Sequence, residues 1–200
     1  MTTSASTPRL RITQTWYLVL LLLSAFGSHS LAGPLSDLLL SAAAIVLVCG
    51  AFLGRIWCSA FIAGRKDETL VTSGPYSLCR HPLYGLSWLA GVGLGLATRS
   101  ITLTVVTAFL LATLLWRASL AEEQLLTQLH GAEFSAYAAI TPRFLPRRWS
   151  AALPATINVM PEIFLKSFRD SRAMLGLYLL ISTARSLHDL GVLPTVVYLP

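Results

Sequence analysis

Two short stretches carry residues that can do chemistry together. The first is Arg80-His81-Pro82-Leu83-Tyr84-Gly85, led by Glu68-Thr69-Leu70-Val71-Thr72-Ser73-Gly74-Pro75-Tyr76. The second is Glu122-Glu123, which follows Arg117. Pro82 suits the first position of a helix, where its missing N–H would be unpaired anyway. Arg80 and His81 then stand at the mouth of that helix, and Tyr84 and Gly85 fall on its first turn, with Gly85 permitting close approach by another group. A cationic and aromatic cluster facing a carboxylate makes a pocket for a zwitterionic, partly aromatic ligand. Adjacent carboxylates diverge by about 100° on a helix, so one is expected to face the cavity while its neighbour is solvated. A plainer reading competes: Arg80 anchors to lipid phosphate, His81 caps the helix, Tyr84 joins an interfacial aromatic belt, and the Glu pair is a solvated helix face. It explains each residue singly but not their crowding on one turn.

The elements that must hold these residues are apolar. Of the 200 residues 54% are hydrophobic and 12% charged, and mean hydropathy is +0.66. A soluble domain carries about 25% charged residues, so much of this surface is expected to face lipid. Apolar stretches run over 16–32, 35–52, 83–97 and 101–115, each a little short of the roughly 20 residues a span needs but extendable at its ends. Gly33-Pro34 and Thr98-Arg99-Ser100 break them into two helical hairpins. A signal-peptide reading of the first stretch fits less well, because the next apolar run follows at once. An amphipathic helix is expected over 121–137, with Leu125, Leu126 and Leu129 as its stripe. A last helix is expected over 161–187, and its short apolar core leaves open whether it spans, re-enters or lies on the membrane. The fold expected is therefore all-α, a polytopic membrane bundle of four to five transmembrane helices plus a cytosolic amphipathic helix. The chain divides into a hairpin at 1–62, a core at 63–146 and an extension at 147–200.

Charge sets the orientation. There are 15 Lys+Arg against 9 Asp+Glu, lying between apolar runs rather than in a patch with interleaved aromatics, so nucleic acid is not an expected partner. Arg9 and Arg11, then Arg55, Arg65, Lys66 and Arg80, then Arg117, Arg143, Arg147 and Arg148 fall on one side of the expected spans, and Arg99 alone on the other. The positive-inside rule then makes both termini and the chemical cluster cytoplasmic. Cys49, Cys58 and Cys79 lack metal or redox spacing and read as small apolar fillers. Gly91, Gly93 and Gly95 read as a packing stripe.

At the two clusters the sequence resembles the isoprenylcysteine carboxyl methyltransferase family and its phospholipid methyltransferase relatives. The resemblance runs from Leu70-Val71-Thr72-Ser73-Gly74-Pro75-Tyr76 through Arg80-His81-Pro82-Leu83-Tyr84-Gly85 and Glu122-Glu123. It ends with His130-Gly131-Ala132-Glu133-Phe134-Ser135-Ala136-Tyr137 and Thr141-Pro142-Arg143-Phe144-Leu145-Pro146. It implies S-adenosyl-L-methionine held on the cytosolic side by Glu68, Thr69, Leu70, Val71, Tyr76, Arg80, His81, Tyr84, Gly85 and Glu122. Glu68 departs from the residues usual at its position. The resemblance makes Arg117 the holder of a substrate carboxylate, although its spacing to Glu122 is one residue longer than in the eukaryotic enzyme.

The expected activity is methyl transfer, without a metal, to a lipid or lipidated acceptor drawn from the bilayer, a carboxyl group as in isoprenylcysteine. A phospholipid amine or a small thiol are the alternatives; an amine must shed a proton, with His81 or Glu123 the conceivable helpers. A membrane reductase using a nicotinamide cofactor would be longer with more spans, and a non-catalytic membrane protein is the remaining rival.

Overall fold

In the computed structural model the described residues are 6–29, 33–63, 69–147 and 150–199. They form five helices: α1 (Ser6–Phe26), α2 (Pro34–Ile62), α3 (Pro82–Ala97), α4 (Ile101–Ile140) and α5 (Pro161–Asp189). Proline opens α2, α3 and α5, as its fixed φ and absent N–H favour. α2 and α4 are long and apolar enough to cross a membrane, and α3 is a shorter apolar helix. Three-residue strands β1 (Gly27–His29) and β2 (Val197–Leu199), which no sequence pattern announced, pair in parallel.

The chain divides into two units. The first comprises Met1–Cys49, Ala90–Leu114 and Leu175–Pro200. Here the glycines of α3 admit close neighbours. A Cβ on Gly91 would meet Leu111, one on Gly93 would lie 3.0 Å from the Ala44 carbonyl, and one on Gly95 would lie 2.8 Å from the Thr104 Cα. That is the expected packing role. The turn from α3 to α4 is held by Ser100, whose Oγ accepts from the Leu103 N–H at 3.2 Å. Trp16 of α1 donates from Nε1 to Thr107 Oγ1 of α4 at 3.0 Å.

At the end of α5, Asp189 accepts from Arg99 at 2.6 Å and pairs with Arg185 at 2.8 Å. Arg185 also donates to the Gly27 carbonyl at 3.1 Å, and Val196 N–H donates to Phe26 O at 2.8 Å. The last residues therefore lie beside the end of α1 and not beside its start, about 30 Å away along a helix of 21 residues. The apolar core of α5 was too short to reveal the course of that helix.

The second unit comprises Gly50–Leu89 and Leu115–Met174. Its core is Cys58, Phe61 and Tyr76, with Val71, Leu83, Leu86 and Ile157 packed against it. A single turn of 3-10 helix, Gly74–Ser77, delivers Tyr76 to that core. Gly74 has φ +60, and a Cβ there would overlap the Phe61 ring. Gly74→Ala is therefore expected to lose about 2 kcal/mol through left-handed backbone and overpacking together, read as a lower midpoint of unfolding in detergent; an unchanged midpoint would refute it.

The amphipathic helix expected over 121–137 is not a separate element. Residues 116–130 contain no Gly or Pro to end a helix, so α4 runs on until Gly131, whose φ 49 and ψ −116 break it. The remaining boundaries differ at the first two helices: α1 covers Ser6–Phe26 rather than 16–32, and α2 runs ten residues past the expected 35–52 to Ile62.

Candidate active site

The site is built within the second unit, from the start of α3, the middle of α4 and the tail after it. Backbone comes first. Arg80 N–H donates to Pro142 O at 2.8 Å and His81 N–H to Arg143 O at 3.0 Å, so the chain beyond α4 pairs the amides just ahead of α3. The His81 carbonyl accepts from Tyr84 and Gly85, each at 3.2 Å. Its backbone thus begins the helix, and its ring is left for other work.

That ring is buried, with the residue 5% exposed. Nε2 lies 3.0 Å from Glu123 Oε1 and Nδ1 lies 3.6 Å from Glu122 Oε2. The two carboxylates therefore both reach one imidazole, contrary to the expectation that one would be solvated. Tyr84 stacks on the ring at 5.5 Å between centroids and 15° between planes, and Phe144 lies 5.9 Å away on another side.

Glu123 is the hub. Arg143 donates to it from Nε at 3.0 Å and also from Nη2, and Arg80 Nη1 lies 3.4 Å from Oε1. Burial pushes the Glu123 carboxyl up, but hydrogen bonds from Arg143 and His81 and the charges of Arg80 and Arg143 outweigh it and hold it below the usual carboxylate range. The Arg143 guanidinium is raised in turn, chiefly by its bond to Glu123, and it sits 4.8 Å over the Trp116 ring.

A partly open hollow of about 510 Å³, solvent at its mouth included, lies beside this cluster. Of the expected cofactor residues, Thr69, Leu70, Val71, Tyr76, Arg80, His81 and Glu122 line it, together with Ile62, Leu126, Phe134 and Tyr137. Tyr84, Gly85 and Glu123 do not line it; Tyr84 and Glu123 instead support the His81 ring from outside. Glu68 lies outside the described residues. Arg117 is exposed and outside the lining. Its spacing turns it about 140° around the helix from Glu122, whereas Leu126, four residues after Glu122, is only about 40° away.

Two polar atoms in the lining are buried without a partner among the described residues: Tyr76 Oη and Arg80 Nε. Leaving a buried donor unpaired costs about 1–3 kcal/mol, so both are groups a ligand can satisfy. Tyr137 is fixed by donating to the Tyr76 carbonyl at 2.6 Å. Burial pushes the hydroxyls of Tyr76 and Tyr137 upward, so both stay protonated donors at neutral pH. Apolar walls, one guanidinium, one carboxylate and two phenols suit an amphiphilic, zwitterionic ligand with an aromatic part. S-adenosyl-L-methionine has that chemistry, and the residues present fit it.

Residue reading missed Arg143, Phe134 and Tyr137 as site members. The three-residue spacing of Phe134 and Tyr137 places them on one helix face and could have marked them. Arg143 sits in an irregular Pro-containing stretch where no period exists.

Residues 38–133 match the phospholipid methyltransferase family. Among curated proteins the chain is similar to the cobalt-zinc-cadmium resistance protein CzcN of Cupriavidus metallidurans. That match is 39% identical over 189 residues, 94% of this chain and 86% of that protein. It is also 39% identical over 150 residues to the nickel-cobalt-cadmium resistance protein NccN of Alcaligenes xylosoxydans xylosoxydans, covering 75% of this chain and 70% of that one. No solved structure matches.

Proposed function

The chain belongs to the phospholipid methyltransferase family, and from that premise we propose that it is an integral membrane methyltransferase. It uses S-adenosyl-L-methionine, as the family does in general, and acts on a lipophilic acceptor. The observation that carries this reading is the hollow in which the two motif clusters meet, with Tyr76 Oη and Arg80 Nε buried and unsatisfied in its lining. Thr69, Leu70, Val71, Tyr76, Arg80, His81 and Glu122 would hold the cofactor.

When bound, the cofactor supplies a methyl group on a positively charged sulfonium, whose charge disappears on transfer. The chain's part is to bind, orient and exclude water. Glu122 and Arg80 take the charged ends of a zwitterion. Ile62, Leu70, Val71, Leu126 and Phe134 make a weakly polar wall, which disfavours the charged ground state more than the transition state. Rate then comes chiefly from alignment.

A carboxylate acceptor, as in isoprenylcysteine, is already ionised and needs no base. The arginine expected to hold it, Arg117, stands outside the lining. An amine acceptor of the phospholipid kind must shed a proton, and His81, in the lining of the hollow and held between Glu123 and Glu122, is the group placed to take it. Arg143 and Glu123 act as positioning residues for that imidazole.

The chain is a membrane protein with two helices long and apolar enough to cross. We propose that all five helices span, with the hollow at the cytoplasmic face, since Arg80, Arg117, Arg143 and Arg147 lie in the same unit as the hollow. The relatives' names concern metal resistance. Among the described residues there is no group of three His, Cys, Asp or Glu placed to hold a metal ion.

Membranes containing the protein, incubated with methyl-labelled cofactor, should pass label into extractable lipid. Purified protein that binds no S-adenosylhomocysteine would overturn the proposal. Tyr76→Phe gives a result of opposite signs. Removing an unsatisfied buried hydroxyl should leave the free protein as stable or slightly more so, while S-adenosylhomocysteine affinity falls about fivefold to tenfold for one lost hydrogen bond. Unaltered affinity would remove Tyr76 from the site.

A further inference from the structure

Arg143 is engaged on its inner edge only. Nε and Nη2 donate to Glu123, and the central carbon of the guanidinium lies 4.8 Å from the centre of the Trp116 ring. A guanidinium carries five N–H donors in a planar fork, and the pair on Nη1 has no partner among the described residues. Nη1 is not sealed either: the side chain is 22% exposed, and the atom is not one of the buried unpaired ones. Glu123 does not cancel the charge, because its single carboxylate also faces Arg80 and the His81 ring. A cation with spare donors, held by a carboxylate on one edge and an indole on its face, can take an oxyanion at its outer edge.

That outer edge lies at the level of lipid headgroups. The apolar run of α4 ends at Leu115, Trp116 is 50% exposed, and Arg117 follows. A tryptophan at such a boundary marks the membrane–water interface. Phe144 packs on Trp116 at 5.8 Å between centroids, and Leu145 beyond it is 82% exposed. Apolar surface for a lipid tail therefore flanks the cation. Its inner edge is joined to the site by direct bonds. Glu123 Oε1 accepts from Arg143 Nε and lies 3.0 Å from His81 Nε2, so one oxygen separates the guanidinium from the imidazole that lines the hollow. Arg117, expected to meet an anionic acceptor, is turned away from Glu122 by helical rotation.

We infer that Arg143, backed by Trp116, binds an anionic group carried by the lipophilic acceptor, a phosphodiester or a carboxylate. The assignment rests on the methyltransferase reading and deepens it, since it makes the acceptor a lipid with an oxyanion near its reactive end. Arg143 then works on both edges. The inner one fixes Glu123 and through it His81, and the outer one holds the acceptor beside that imidazole.

The test uses the full chain in neutral detergent with two pairs of probes. Short-chain phosphatidylmethanol, which has a phosphodiester and no amine, is compared with the matching diacylglycerol, and N-acetyl-S-farnesylcysteine with its carboxamide. S-adenosylhomocysteine is titrated in parallel. Wild-type protein should prefer the charged member of at least one pair, and which pair it is identifies phosphate or carboxylate. Arg143→Gln should lower affinity for that charged probe about tenfold, as loss of a charged hydrogen bond does, and leave the neutral probe as before. Glu123→Gln disturbs the same hub but keeps the guanidinium, so it should retain the preference. Arg143→Lys keeps the charge without the fork and should retain only part of it; its comparison with Glu123→Gln decides if Arg143→Gln does not fold. Equal loss of preference in the Glu123 and Arg143 variants would mean a purely structural role and overturn the assignment. Equal loss for charged and neutral probes, no loss, or no wild-type preference would overturn it as well. Wild-type protein that fails to bind S-adenosylhomocysteine overturns the methyltransferase reading itself, an outcome distinct from loss of charge preference.

Discussion

Glu123→Ala is expected to lower stability by about 3 kcal/mol, toward the low end for breaking a buried ion pair because the side chain keeps some access to water. The neighbouring Glu122→Ala should leave stability nearly unchanged. The difference follows from what each carboxylate holds. Glu123 accepts from Arg143 and His81 and faces Arg80, so its removal strands an imidazole and two guanidinium groups. Glu122, 31% exposed in its side chain, lies 3.6 Å from the ring and lines the hollow; its loss should appear in cofactor affinity instead. Thermal unfolding in detergent, paired with S-adenosylhomocysteine titration, separates the two, and equal effects on stability would refute the hub.

The same contacts set a pH dependence. The Glu123 carboxyl is held lower in the folded protein than in the unfolded chain. Its stabilisation is therefore complete above the ordinary glutamate value of about 4.3 and is lost as pH falls through the folded value beneath it. Glu123→Gln should be less stable than wild type at neutral pH and should lack that part of the acid loss.

For an amine acceptor, His81→Ala is expected to reduce methyl transfer about a hundredfold, roughly the contribution of one positioned acid–base group. The ring is buried where the two carboxylates converge, its backbone already begins α3, and Tyr84 and Phe144 fix its plane. An anchoring role at the membrane surface would require an exposed ring. If transfer of label persisted at the wild-type rate, His81 would have no part in the reaction. For an amine acceptor the loss should shrink as pH rises, because more of the acceptor is then unprotonated without help. For a carboxylate acceptor no such recovery is expected.

The start of α3 was legible because Pro82 marks a helix beginning whatever surrounds it, and that alone ordered Arg80, His81, Tyr84 and Gly85. Leu126 was read with Leu125 and Leu129 as one stripe and Glu122 as part of another, whereas the hollow takes Glu122 and Leu126 together. What escaped was geometry that no period encodes. Arg143 reaches Glu123 from a stretch without repeating structure, held by backbone bonds to Arg80 and His81. The Gly74–Ser77 turn is pinned by Gly74 N–H donating to Ala152 O at 2.7 Å and Ala152 N–H donating to Ser77 Oγ at 2.8 Å. Such pairs, distant in the chain, follow from the folded path and not from local composition. Arg117, assigned a substrate carboxylate by the resemblance alone, lies outside the lining of the hollow because helical rotation turns it away from Glu122. The strand pair closing the first unit is three residues long on each side, too brief for alternation to show.

The interruption of α4 at Gly131 falls between wall residues of a single hollow: Glu122 and Leu126 precede it, Phe134 and Tyr137 follow. The wall is thus made of two helical rods meeting at one joint, and the second rod is tied down where Tyr137 donates to the Tyr76 carbonyl and where Pro142 and Arg143 pair the amides of Arg80 and His81. The joint itself stands at a left-handed φ that a residue with a Cβ resists, so glycine at this one position fixes the angle at which Phe134 and Tyr137 are turned toward Glu122 and Leu126.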